Sequence, residues 1–179
     1  MIKHIICLLY IFMMLPPNII VFDFNQNSDI QQWKIVDDVV MGGQSSGNFR
    51  LDNAGHGVFE GEVSLENNGG FSSLHYYPER TSIKGNNKIF VKLKGDGKNY
   101  QLRVKANVND YHSYAMPFST TGDWQEIEVP LKEMYPSFRG RKLDRPNFSN
   151  GYFEEITFLI GNKRNEKFQL LIDKITIGK

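Results

Sequence analysis

Apolar and polar residues alternate along most of the chain after residue 18. The clearest case is residues 100–108, where one face would carry Leu102, Val104, Ala106 and Val108 and the other Gln101, Arg103, Lys105 and Asn107. A period of two is typical of a half-buried β-strand. Turn-forming pairs such as Asn68-Gly69 and Asn150-Gly151 separate the alternating segments. The pattern therefore predicts an all-β chain.

Eleven segments carry the strand pattern. They are Ile19–Phe24, Trp33–Val36, Asn48–Asp52, Gly57–Leu65, Phe71–Tyr77, Lys88–Leu93, Tyr100–Val108, Tyr114–Ser119, Trp124–Val129, Glu155–Gly161 and Phe168–Ile177. We interpret Pro130–Asn150, which contains three prolines and a basic group, as a long surface loop with one helical turn near Leu131–Tyr135. A strand series without long helices packs most economically as a β-sandwich of two antiparallel sheets.

Length and composition indicate one globular domain. The chain has 179 residues, of which 40% are hydrophobic and 23% charged. Its 21 Lys and Arg residues nearly balance 20 Asp and Glu residues, and no basic run interleaves with aromatic residues. A nucleic-acid partner is therefore not expected.

The first 18 residues have the layout of an export signal or an N-terminal anchor. Lys3 precedes the apolar run Ile5–Leu15, which Pro16 and Pro17 end. The run is too short for a stable membrane span. We expect residues 19–179 to form the domain, exported to the periplasm or secreted. The single cysteine, Cys7, lies in the leader, which leaves the domain without disulfides, thiol catalysis or cysteine-bound zinc.

Residues Gly43–Gly47 match the G-x-S-x-G pattern of hydrolases around Ser45. A nucleophile elbow needs a helix after the serine, whereas Asn48–Asp52 is predicted to be a strand. No local signature makes any of the three later histidines a catalytic base. We therefore assign no catalytic residue and expect the chain not to be an enzyme.

The preceding loop, Asp37–Gly43, reads DDVVMGG. Its aspartates are expected to cap backbone amides, with calcium ligation as the weaker alternative. The pairs Gly42-Gly43 and Gly69-Gly70 suggest positive backbone torsions or close backbone contacts, because glycine otherwise costs entropy. We expect apolar Met41 to pack inward. Neither a metal ion nor a cofactor is predicted.

Several blocks in order resemble one known family, the complex I intermediate-associated protein 30 family. They include residues 33–47 (WKIVDDVVMGGQSSG), 59–61 (FEG), 68–73 (NGGFSS), 95–100 (GDGKNY), 124–130 (WQEIEVP) and 168–175 (FQLLIDKI). The resemblance spans almost all of residues 19–179. It implies a jelly-roll sandwich similar to galactose-binding and carbohydrate-binding modules, without a catalytic residue set. Named mitochondrial members are assembly chaperones for respiratory complex I, whereas this chain begins with an export-type leader.

Two functions follow from the resemblance and the residues. The first is a binding module that engages a protein partner in the cell envelope, and the second is a carbohydrate-binding module. Candidate binding residues are Asp37, Asp38, Met41, Gly42, Gly43, Ser45, Gly69, Gly70, Phe71, Arg103, Asn107, Tyr111, His112 and Tyr114. We expect Trp33 and Trp124 to be buried and residues 111–114 to be exposed. Coplanar exposed aromatic rings in a groove would favour glycans, and an apolar patch would favour a protein.

Overall fold

The computed structural model describes residues 18–83 and 85–179. The predicted leader, apart from Asn18, lies outside the described residues. Within the described part, no helix is long and apolar enough to cross a membrane. This part of the chain contains fifteen strands: β1 Ile19–Asp23, β2 Trp33–Asp37, β3 Ser46–Leu51, β4 Gly57–Val63, β5 Ser72–Tyr76, β6 Thr81–Ser82, β7 Lys88–Lys94, β8 Asn99–Lys105, β9 Ser113–Ser119, β10 Trp124–Pro130, β11 Tyr135–Phe138, β12 Arg141–Lys142, β13 Tyr152–Phe153, β14 Glu155–Ile160 and β15 Glu166–Gly178.

Three short 3-10 helices interrupt the strands of the described residues, at Asp38–Met41, Glu66–Asn68 and Leu131–Glu133. Two large antiparallel sheets form a jelly-roll sandwich, which confirms the predicted fold class. Strands β6 and β13 pair separately.

The first sheet has the strand order β10-β7-β15-β4-β3, and β1 also pairs with β15. Strand β15 is 13 residues long, so two strands share one of its edges. Residues 166–172 pair with β4, and residues 174–177 pair with β1. On the other edge β7 pairs with residues 171–178. This long strand therefore ties together both ends of the first sheet.

The second sheet has the order β12-β11-β9-β8-β14-β5-β2. Phe158 of β14 lies opposite Leu102 of β8 and Leu74 of β5, and all three side chains are fully buried. Thr157, His75 and Arg103, each one position away from one of these buried residues, therefore point to the opposite face. That outer row, which includes Arg103 and Thr157, lines the candidate site.

The core between the sheets is built largely from the residues that the alternation pattern predicts. An aromatic cluster closes one end, where the Trp33 and Tyr76 rings stack at 4.5 Å between centroids. Trp33 is only 5% exposed, as predicted. The Phe22 ring contacts Trp33 edge-on and the Phe24 ring contacts it at a tilt. These aromatic contacts stabilise the core beyond the gain from burial alone.

All eleven predicted strands are present, with ends that differ by at most three residues. The largest difference is at β8, which ends at Lys105 instead of Val108. Asn107 lies in the following turn, where its side-chain oxygen accepts a hydrogen bond from the backbone N–H of Asn109. Val108 is 39% exposed, so its predicted place on the core face is wrong.

The predicted surface loop Pro130–Asn150 is also partly wrong. A helical turn is present at Leu131–Glu133, but β11 follows it and pairs with β9 in the second sheet. Met134 and Phe148 are buried, and the Phe148 N–H donates to the Met134 carbonyl at 3.0 Å. These two apolar anchors fix a segment whose prolines and positive charges favour a loop.

Trp124 does not have the predicted buried position. It begins β10, the edge strand of the first sheet, and is 40% exposed. Its ring lies 4.7 Å from the His56 ring, and the Lys92 ammonium is 5.8 Å from its centroid. Alternation along β10 turns buried Ile127 and Val129 inward and Trp124 outward, which explains the exposure.

Candidate functional site

Asp38 organises the loop that the sequence singles out. The side chain is fully buried at the start of the first 3-10 helix. Its Oδ1 accepts from the Ser45 N–H at 2.9 Å. Its Oδ2 accepts from the Ser45 hydroxyl and the Gly70 N–H, both at 2.5 Å, and from the Phe71 N–H at 3.2 Å. The predicted capping role is confirmed, and the capped groups come from two separate loops.

Burial alone would raise the pKa of Asp38. The hydrogen bonds from the Ser45 hydroxyl and from the Gly70, Ser45 and Phe71 amides outweigh burial and lower it. Asp37 also caps a backbone amide, since its Oδ2 accepts from the Gly47 N–H at 2.9 Å. Donor hydrogens already surround the Asp38 oxygens, an environment that does not fit a calcium ion. Within residues 18–83 and 85–179, no three His, Cys, Asp or Glu side chains form a group that could hold a metal.

The two glycine pairs build the space around this carboxylate. Gly42 and Gly70 have φ angles of 90° and 131°, which side chains rarely adopt. A Cβ on Gly43 or Gly69 would overlap the Asp38 carboxylate. The pairs thus serve positive torsion and close approach, as expected.

Met41 does not pack inward. Val39, Val40 and Met41 are 60%, 74% and 56% exposed, so the predicted burial is wrong. The buried position of the loop is taken by Asp38, and the following turn of 3-10 helix points outward. The loop therefore presents three apolar side chains on a fixed base.

The G-x-S-x-G match leads to strand β3, as predicted, and not to a helix. Ser45 is 2% exposed and its hydroxyl donates to Asp38. Its oxygen also accepts from the Ser64 N–H at 3.0 Å. Ser45 is thus part of the loop's internal bonding and lies out of reach of a substrate.

The outer face of the second sheet forms the floor of a groove of about 540 Å³. Strands β5, β14, β8, β9 and β11 supply the floor. Met41 of the loop Asp37–Gly43 and residues 69–71 form one wall, and Tyr111 with residues 138–140 forms the other. Six candidate residues line this groove: Met41, Gly69, Gly70, Phe71, Arg103 and Tyr111.

The other eight candidates do not line the groove. Asp37, Asp38, Gly42, Gly43 and Ser45 shape the wall from behind through the contacts described above. Asn107, His112 and Tyr114 lie away from it. His112 is 9% exposed and Tyr114 packs on Phe148 at 5.2 Å, so the predicted exposed cluster is reduced to Tyr111.

Tyr111 has a different aromatic neighbour, Phe138 of β11. The two rings are 55% and 37% exposed and meet edge to face, with centroids 5.2 Å apart at 81°. The guanidinium of Arg145 lies 5.5 Å from the Tyr111 centroid. Sequence reasoning missed Phe138 because the segment around it was interpreted as a loop.

The groove floor contains a hydrogen-bonded chain that the sequence did not predict. His75 Nε2 is 2.9 Å from the Ser73 hydroxyl, and His75 Nδ1 is 3.0 Å from Glu155 Oε1. Thr157 donates to the same Glu155 oxygen at 2.9 Å, and Lys105 Nζ is 3.5 Å from the other. Burial would raise the pKa of Glu155, but His75, Lys105 and Thr157 together lower it.

The order serine, histidine and carboxylate is that of a hydrolase triad, but the serine is not prepared for attack. The Ser73 hydroxyl donates its proton to the Val36 carbonyl at 2.6 Å. Its oxygen is therefore the acceptor toward His75, the reverse of the arrangement that activates a nucleophile. Ser73 is also only 2% exposed. The only sequence signal was S-x-H within one predicted strand.

The sequence of this chain matches a known protein family. Residues 22–172 match the family described as Complex I intermediate-associated protein 30 (CIA30). The chain belongs to this family. A curated relative, the mitochondrial Complex I intermediate-associated protein 30 of Drosophila melanogaster, is 25% identical over 148 residues, which cover 70% of this chain and 50% of the relative. This family member thus spans about half the length of that relative.

Solved structures similar to this family member include carbohydrate-binding modules. A family 11 module of the cellulosomal cellulase Lic26A-Cel5E from Clostridium thermocellum has a TM-score of 0.66 at 14% identity, covering 91% of this chain and 95% of the module. The Clostridium thermocellum family 11 module in complex with a β-1,3-1,4-mixed-linked tetrasaccharide has a TM-score of 0.64 at 14% identity, covering 90% and 95%. An agarase, AgWH50C, scores 0.54 at 15% identity, covering 90% of this chain and 24% of the enzyme. These likenesses establish the fold alone.

Proposed function

We propose that this chain is a non-enzymatic binding module whose groove holds an extended segment of a protein partner. The supporting observation is the groove on the second sheet, with the exposed apolar loop Val39–Met41 along one side. The membership of the family supports a role like that of an assembly factor, because the curated relative is named for its association with a complex I intermediate.

The apolar surface on one wall favours polypeptide over sugar. Val39, Val40 and Met41 are exposed on a short helix, and Met41 lines the groove. Leu65, which is 42% exposed, lies next to Gly70 of the same wall. Aliphatic side chains of this kind gain binding energy from burial against other aliphatic groups. Sugar rings instead stack on flat aromatic faces.

The hydrogen bonding of the groove floor supports a binding role without catalysis. Ser73, His75 and Glu155 are held by each other and by the Val36 carbonyl. Ser45 is internal to the capped loop. In the described part of the chain, neither serine thus combines exposure with a free base.

We further propose that the chain acts outside the cytoplasm. The basis is the sequence of residues 1–18, with Lys3 ahead of an apolar run and two prolines behind it. The partner would then be a protein of the cell envelope. Fusion of residues 1–30 to alkaline phosphatase tests this: phosphatase activity in intact bacteria is expected, and its absence would contradict export.

The alternative function is glycan binding. Several of the similar structures are carbohydrate-binding modules, and one is in complex with a tetrasaccharide. Tyr111 and Phe138 could contact a sugar at the groove edge. Their rings meet at 81°, however, so they do not form the flat platform on which several sugar units stack.

Selection from a phage library of random twelve-residue peptides, run beside a glycan array with the same protein, tests the two functions. We expect enriched peptides and no glycan signal. Glycan binding without peptide enrichment would contradict the proposal.

Two variants locate the binding site. Tyr111→Ala combined with Phe138→Ala removes the aromatic wall and should weaken the selected peptides. Trp124→Ala removes a similarly exposed ring from the first sheet and should leave peptide binding unchanged. Equal losses in both variants would show that the groove is not the binding site.

A further inference from the structure

The groove carries an excess of positive charge. Among the described residues, four cationic side chains line it, Arg103, Lys105, Arg139 and Lys163, against the single carboxylate of Glu155. Glu155 is engaged by His75 at 3.0 Å and by Lys105 at 3.5 Å. Over residues 18–83 and 85–179, the other three cations make no ion pair with a carboxylate.

Arg103 lies at the centre of this charge. It belongs to β8, the fourth of seven strands in the sheet. Its cross-strand neighbours are Thr157 on one side and fully buried Ala115 on the other, both uncharged. The short Ala115 side chain offers the guanidinium neither a counter-ion nor a hydrogen-bond acceptor.

The side chain is held in place by a neutral group. Arg103 Nε and Nη2 both donate to the Gln101 side-chain oxygen, at 3.0 and 2.7 Å. This contact fixes the plane of the guanidinium along one edge. Within the described residues, the N–H groups of Nη1 have no acceptor among the side-chain hydrogen bonds. Guanidinium groups pair with carboxylates through two parallel N–H donors, so the remaining edge matches a carboxylate.

The desolvated Arg103 cation lowers the stability of the protein without a ligand. Desolvation lowers the pKa of Arg103, and the nearby Tyr135 only partly opposes that effect. A partly buried cation without a counter-ion destabilises a fold, and a ligand carboxylate would supply the counter-ion.

We propose that the groove recognises an acidic peptide segment by seating one of its carboxylates on Arg103, with Arg139 and Lys163 at the rim attracting the same charge. This inference rests on the proposed function and adds the chemistry of the peptide. The carboxylate comes either from an Asp or Glu side chain or from the C-terminus of the partner.

The experiment uses peptides selected from the random library and measures their affinity by fluorescence anisotropy. Each Asp or Glu is replaced in turn by Asn or Gln, and a further version carries a C-terminal amide. We expect one of these changes to weaken binding to the wild-type protein about 10- to 100-fold, the range for a lost charge-assisted hydrogen-bonded pair. The replacement that weakens binding identifies the source of the carboxylate, either a side chain or the C-terminus.

Arg103→Met and Arg103→Lys complete the test. Both variants should have a lower affinity for the acidic peptide. Arg103→Met should bind the acidic peptide and the version in which its critical carboxylate is replaced by an amide with equal affinity. The melting temperature of Arg103→Met should equal or exceed that of the wild type, because an unpaired charge is removed. Trp124→Ala serves as the matched control and should keep the full dependence on the carboxylate.

The possible failures are distinguishable. Peptides that bind in the groove but tolerate loss of every carboxylate would overturn the acidic-peptide inference and leave the proposed function standing. No peptide binding at all would overturn both. Binding of uronate-containing glycans that is lost in Arg103→Met would show that the anion belongs to a sugar, which also overturns the inference.

Discussion

Replacement of Asp38 by Asn tests whether hydrogen bonds to its carboxylate hold the groove wall in place. Asn keeps the shape of the side chain but has one acceptor oxygen. If that oxygen stays on the Ser45 N–H, the new NH₂ group faces the Gly70 and Phe71 amides, which both lose their acceptor. The Ser45 hydroxyl can turn to the Ser64 carbonyl, 3.3 Å away.

Two orphaned donors set the magnitude. Each unsatisfied buried group costs about 1–3 kcal/mol, so Asp38→Asn should lower the free energy of unfolding by roughly 2–6 kcal/mol. At about 2–4 °C per kcal/mol for a chain of this size, the Tm falls by roughly 10 °C. Urea denaturation and calorimetry measure both quantities. The control is Asp123→Asn, an exposed position, where the change should stay within about 0.5 kcal/mol.

The pH dependence supplies the refuting result. Because the folded state lowers the pKa of Asp38, the carboxylate stabilises the fold above the unfolded value of about 3.8, and this contribution is lost as pH falls through the folded value. The difference between wild type and Asp38→Asn should therefore be largest near pH 7 and shrink in acid below pH 3.8. A difference below about 1 kcal/mol at neutral pH would refute the capping account.

Further variants test other parts of the fold. Gly42→Val should cost about 1–3 kcal/mol because its φ is 90°, whereas Gly151→Val, where the φ is not positive, should cost less. Trp33→Ala should lower stability by about 3–5 kcal/mol as a buried aromatic, against under about 1 kcal/mol for exposed Trp124→Ala. Hydrolysis of p-nitrophenyl acetate by the full chain should equal that by Ser73→Ala. Excess turnover that this variant abolishes would contradict the non-enzymatic role.

Much of the sandwich could be predicted because strand alternation is a local property of the sequence. Residues such as Leu102 and Val104 are buried as their period of two requires. The capping role of Asp38 was also predictable, because glycine pairs next to an aspartate indicate backbone bonding. The hydrogen bonds that Asp38 accepts from residues 70 and 71 could not be predicted, since a contact across 32 residues leaves no local pattern.

The groove could not be predicted from the sequence because it depends on strand order. His75 and Glu155 are 80 residues apart and meet only because β5 and β14 are neighbours. Phe138 joins Tyr111 because β11 extends the second sheet through a proline-containing segment. Exposure of Met41 was mispredicted because hydrophobicity alone does not show that a carboxylate occupies the inward position of the loop.

Photo-crosslinking in the native cells shows whether the groove on the second sheet binds a protein. Benzoylphenylalanine would replace Tyr111 in the groove wall or, as the control, Trp124 on the first sheet. We expect a discrete protein adduct from position 111 that acidic peptides selected in vitro suppress, and none from position 124. Adducts of equal yield from both positions, or an adduct at position 124 alone, would contradict a protein-binding groove on the second sheet.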